Sequence, residues 1–195
     1  MPLDENLLDL RELSEAWALK WPNCRPIAGE IRGVHERWVR FHCLPGSKRC
    51  ANTDQEYEEI LRRELALLTD LSRQSRVDSD DVLIVTYTWS DSRDVESAPR
   101  SDRGHHWMSL PVDPHENDVW AHLFASKSQW RSGELNSLLR RIADDEIRAL
   151  IMPLDLQWLF APYDGGVDIV VANSSLRDEL KSAHFEWLPL NPSGL

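Results

Sequence analysis

Apolar residues recur along this chain at two spacings, three to four residues apart in some stretches and two apart in others, and the alternation between them outlines its elements. Over 5–21, Leu7, Leu10, Leu13 or Ser14, Trp17 and Trp21 fall on one helical stripe that Pro22 ends. The following NCRPIAGEIRG carries Pro and Gly breaks and reads as a loop. At 35–44 the period drops to two: Val39, Phe41 and Cys43 point one way and Trp38, Arg40 and His42 the other, which predicts a strand with one apolar and one polar face.

Thr53 and Glu56 make a capping-box pattern, and Tyr57, Ile60, Leu61, Leu65, Leu68 and Leu71 follow at helical spacing. The β-branched run from Val82 to Trp89 predicts a strand inside a sheet. A helix between two strands suggests a crossover, with both strands parallel in one sheet. Residues 90–118, broken by Pro99, Pro111 and Pro114, read as a long irregular loop with a short strand around 107–110. Strand alternation returns at 119–130, and Leu135, Leu138, Leu139, Ile142 and Ile147 then mark a helix over 132–147.

The stretch 149–173 predicts a hairpin of two strands joined by Asp164-Gly165-Gly166, a turn whose glycines can take positive φ. Both faces of this hairpin are apolar, so it should be covered on both sides. A last helix starts at Ser175, with Asp178 completing a capping box and Leu176, Leu180, Ala183 and Trp187 as its stripe. The sum is a single α+β domain over 1–195: a mixed sheet of about five strands with a C-terminal β-hairpin, helices packed on it, and residues 1–22 as a peripheral helix.

Composition narrows the function classes. The 195 residues carry a net charge of -11, which disfavours nucleic acid as a partner and favours a basic protein. No apolar run approaches the roughly 20 residues of a membrane span, and MPLDENLLDL has no signal-peptide pattern, so no membrane association and a cytoplasmic location are expected. Cys24, Cys43 and Cys50 are scattered, which argues against a disulfide framework or thiolate zinc site, although Cys43 and Cys50 could meet across a loop. Nine Trp against four Phe supply large core or interface anchors.

Candidate chemistry is sparse. His105, His106, Asp113 and His115 have metal-ligand chemistry but no metal-site spacing, and they read as loop side chains, so neither a metal nor a cofactor is expected. Nucleotide-loop and nucleophile-elbow motifs are absent. A basic patch, Arg40, His42, Lys48 and Arg49, stands out in an acidic chain and has the donors to hold a carboxylate or phosphate. Should the first strand neighbour the hairpin, Tyr163 and Asp164 would join it, and Asp164 or Asp168 could orient His42 as a base.

The segments RWVRFHCLPGSKR, before a capped helix, and LFAPYDGGVDIVVAN, before RDELKSAHFEWL and a closing NPSGL, resemble a group of uncharacterised bacterial proteins. The hairpin and last helix are similar to a broader bacterial domain of unknown function with a Tyr-Asp turn, a Gly and an Asp-aliphatic strand. The resemblance implies a small α+β domain and brings no catalytic residues. By analogy with small acidic immunity or inhibitor proteins, it suggests a non-enzymatic protein-binding module. The alternative is an enzyme or small-ligand protein with an anion pocket at Arg40, His42, Lys48, Arg49, Tyr163 and Asp164.

Overall fold

The computed structural model describes residues 8–75, 80–99, 101, 103–113, 115 and 118–191. Helix α1 (Leu10–Lys20) is followed by a 3-10 segment at Ala28–Gly33, strand β1 (Trp38–His42) and helix α2 (Asp54–Ser72). Strands β2 (Asp81–Ser90), β3 (His105–Pro111) and β4 (Trp120–Gln129) lead to α3 (Gly133–Ala143). Then come β5 (Ala149–Pro153), β6 (Leu159–Tyr163), β7 (Gly166–Val170) and α4 (Ser174–Ala183). The fold is α+β, and among the described residues seven strands form one sheet in the order β1-β7-β6-β5-β2-β4-β3.

Seven strands replace the expected five or so for two reasons. Seven residues of the supposed loop 90–118, His105–Pro111, pair with β4 as β3, and 149–173 holds three strands where two were expected. Pro153 has no N–H to continue the ladder, its carbonyl accepts from Leu156 N in a turn, and Leu156 sits at φ 52, so the apolar run breaks there despite its alternation. Every paired neighbour is antiparallel, which corrects the mixed sheet. The crossover expectation holds in one respect: four successive antiparallel steps leave β1 and β2 running the same way, but β7, β6 and β5 lie between them.

Both sheet faces are covered, as the all-buried pattern of β5 and β7 requires. On one face Val39 and Phe41 of β1 meet Leu67, Leu68 and Leu71 of α2, Leu135, Leu138 and Leu139 of α3 and Leu180 of α4. On the other, Leu13 and Trp17 of α1, Trp21 just after it and Ile31 of the 3-10 segment meet Val85, Tyr87, Leu150, Ala161 and Val170. Trp17 also stacks edge-on against Trp107 at 5.9 Å, so the Trp-rich composition serves the core here.

Local signals account for the helix starts. Thr53 Oγ1 accepts from Glu56 N at 3.3 Å and Ser132 Oγ from Leu135 N at 3.2 Å. The last helix begins one residue earlier than its sequence pattern, because Asn173 Oδ1 caps Leu176 N at 3.0 Å in place of Ser175. Thr53→Ala should cost about 1 kcal/mol of stability by urea unfolding, since it orphans one α2 donor; no change in the midpoint would show the cap to be idle.

The hairpin turn differs from expectation in an instructive way. Tyr163 pairs with Gly166 around Asp164-Gly165, yet neither glycine lies at positive φ. Glycine is needed for space. A Cβ on Gly166 would stand 2.2 Å from the Phe41 carbonyl oxygen, and one on Gly165 would stand 3.1 Å from Arg49 Cγ. The turn is therefore pressed against β1 and the segment after it.

Candidate anion site at the rim of the sheet

At one rim of the sheet the C-terminal ends of β1, β6 and β2 meet the N-terminal ends of β7 and β5. Strand β5 begins at Ala149, opposite Thr86, so past Thr86 strand β2 is paired only on its β4 side. The notch so formed opens into a cavity of about 630 Å³, a size typical of small-molecule sites. Its wall includes Arg32, Arg40, His42, Arg49, Tyr163, Asp164 and Asp168, with Tyr87, Asp145 and Arg148 opposite.

Asp168 anchors the wall. Strand register places it directly beside Arg40, and it is only 2% exposed. Its Oδ1 accepts from Arg40 Nε at 2.8 Å and from Trp38 Nε1 at 3.1 Å, while Oδ2 accepts from Arg40 Nη2 and Arg32 Nε, both at 2.9 Å. A buried carboxylate is tolerable only with such saturation. The bidentate fork fixes the Arg40 guanidinium plane, which also lies 5.2 Å from the Tyr163 ring centroid. Burial pulls the Arg40 pKa down, but the hydrogen bond and charge of Asp168 outweigh it, so the group is held more firmly protonated than usual.

Around this anchor, Arg49 pairs with Asp164 at 2.9 Å and Arg148 with Asp145 at 3.5 Å. Among the described residues Arg32 uses only its Nε, and Arg40 only its Nε and Nη2, on Asp168. Nη groups of both therefore remain as donors. Burial pushes the Tyr163 hydroxyl up to about 12, so it stays a neutral phenol. Four arginines against three aspartates line the cavity, in a chain whose 33 acidic residues outnumber its 22 basic ones.

Five of the six sequence candidates, Arg40, His42, Arg49, Tyr163 and Asp164, line this one cavity. Lys48 instead turns to the start of α2, where it pairs with Glu56. Strands β1 and β7 are indeed neighbours, but Asp168 serves two arginines and a tryptophan, and no carboxylate hydrogen-bonds His42 among the described residues. The histidine group disperses: His105 and His106 sit on β3, and Asp113 accepts from the His115 backbone. Among the described residues no three His, Cys, Asp or Glu side chains gather as a metal ion would need.

A family model matches residues 30–192, which takes in both strands of the Asp168–Arg40 pair and the whole rim. The chain belongs to the family described as Domain of unknown function (DUF3885). No curated protein and no solved structure matches it. The family span begins at Glu30, so Arg32, Arg40, Arg148 and Asp168 fall within it, whereas α1 precedes it. No helix among the described residues is long and apolar enough to cross a membrane.

Arg32 and Arg148 escaped the sequence reading. Arg32 lies in NCRPIAGEIRG, where Pro and Gly hide a 3-10 segment that folds over the sheet, and Arg148 lies beyond Ala143, where α3 stops short of the predicted Ile147. Asp145, at φ 56, turns the chain there and delivers Arg148 to the notch.

Proposed function

We propose that this protein binds a small ligand through a carboxylate or phosphate at the Arg32–Arg40–Asp168 cluster. The observation that carries the reading is a buried carboxylate holding two arginines at the wall of a cavity, with guanidinium donors left over. Asp168 fixes the orientation of Arg40 and holds Arg32 beside it without using all of their N–H donors. His42 stands at the same wall, and Tyr163 joins it as a neutral hydrogen-bonding group, so the site has the parts for recognition. A docking role for a basic protein partner draws on the net charge of -11, the nine Trp and the absence of a catalytic motif. Such a charge equally keeps a surface soluble, and the exposed large apolar side chains, Leu19, Val112, Val119, Phe185 and Leu190 among them, are spread over several elements.

The test is an NMR titration with inorganic phosphate and with acetate. Saturable shifts should concentrate on the amides of 30–33, 40–49 and 163–168. Arg32→Ala, at a side chain 43% exposed and so tolerant of replacement, should weaken the better anion about tenfold. Shifts scattered over the surface and growing linearly with salt would end the reading.

A further inference from the structure

A second cavity, of about 640 Å³, adjoins the first, and the two share Tyr87, Asp145, Ile147 and Arg148 as a common wall. Its chemistry differs. Trp89, near the end of β2 where β5 no longer pairs, lines it and is 44% exposed, although most large aromatic rings of this chain are buried. Pro99 and Ser101 of the β2–β3 connection close another side. The ring is held in place: Tyr87 meets it edge-on, 5.1 Å between centroids and 87° between planes. Arg148, which lines both cavities, holds its guanidinium over the Trp89 ring, 6.0 Å from the centroid.

Building on the anion site proposed above, we infer that its ligand carries a flat aromatic ring joined by a spacer to the anionic group. The anion lies among Arg32, Arg40 and Arg49, the spacer crosses the wall at Tyr87 and Arg148, and the ring stacks on Trp89. An exposed indole immobilised beside a cation is a stacking platform for any flat π-system. Because ring and anion occupy different cavities, a ring bearing its charge directly would fill only one. Two ligand sources share this chemistry, a nucleoside phosphate and an arylalkyl carboxylate.

Two probe pairs separate them: AMP with ribose phosphate, and phenylpropionate with propionate. Affinities are measured by NMR titration on the wild-type chain, Trp89→Ala and Trp89→Phe. In one pair the ring-bearing member should bind about tenfold tighter than its ringless partner, and that pair names the source. In Trp89→Ala the ratio should fall toward one, and Trp89→Phe should recover part of it. If the ring adds nothing in either pair, or the ratio persists in Trp89→Ala, the ring site is overturned while the anion site stands. If no probe binds, or Arg32→Ala leaves phosphate and carboxylate affinities as they were, the anion site itself fails, and the ring site with it.

Discussion

Replacing Asp168 by alanine will lower stability by about 3–5 kcal/mol, the usual cost of removing one partner of a buried ion pair. Arg40, whose side chain is 10% exposed, would keep its charge and lose both of its hydrogen bonds at once, and Trp38 Nε1 would lose its acceptor. Arg32 contributes less to the loss because at 43% exposure it can turn to water. Urea unfolding of Asp168→Ala, Arg40→Met and the double variant forms a complete cycle. The double variant should recover a large part of the loss, because the stranded charge is gone, yet it should bind neither phosphate nor acetate. A loss under about 1 kcal/mol for Asp168→Ala would mean that water replaces the carboxylate and that the cluster is not desolvated as described.

The second large effect concerns Glu64, on the sheet-facing side of α2. It is 1% exposed, and among the described residues its carboxyl has only a Cys43 Sγ contact at 3.7 Å to Oε1, with no partner for Oε2. Burial pushes its pKa up to about 8. The folded chain therefore holds a proton that the unfolded chain releases near its ordinary value of 4.5. Below that value both states are protonated and Glu64 costs nothing through ionisation. Between about 4.5 and 8 the unfolded state gains from ionising and stability falls as pH rises, levelling off above.

Glu64→Gln removes that slope. At about 1.4 kcal/mol per pKa unit, the variant should be more stable than the wild type by on the order of 3 kcal/mol at neutral pH, with little difference near pH 4. Unfolding midpoints of both proteins across this range check it. Parallel curves would show that Glu64 ionises freely in the folded state.

How much of this was readable beforehand depended on the range of the interaction. The helix start at Thr53 was legible because cap and capped amide are three residues apart. The polar face of β1 was legible because alternation is a property of five consecutive residues. The break after Pro153 was not, since Leu156, Trp158 and Phe160 kept the alternation of a strand through a turn. Nor did glycine chemistry reveal its purpose at 164–166: the residues suggest positive φ, and the requirement is room for Phe41 O and Arg49, which lie more than a hundred residues earlier.

The sequence by itself determined the α+β class, the edges of most elements, the apolar and polar faces of each, and a basic cluster inside an acidic chain. All of these follow from local periodicity, capping and composition. Only the tertiary structure decided that Arg40 stands beside Asp168, 128 positions away, because that pairing comes from the β1–β7 register. It also decided that Asp168, in the second strand of the hairpin, holds Arg32 and Arg40 together, and that Lys48 is turned away to Glu56 while Arg32 and Arg148 are brought to the cavity. A cavity is the space between elements, here the notch left where β5 begins opposite Thr86, and no single stretch of sequence encodes it.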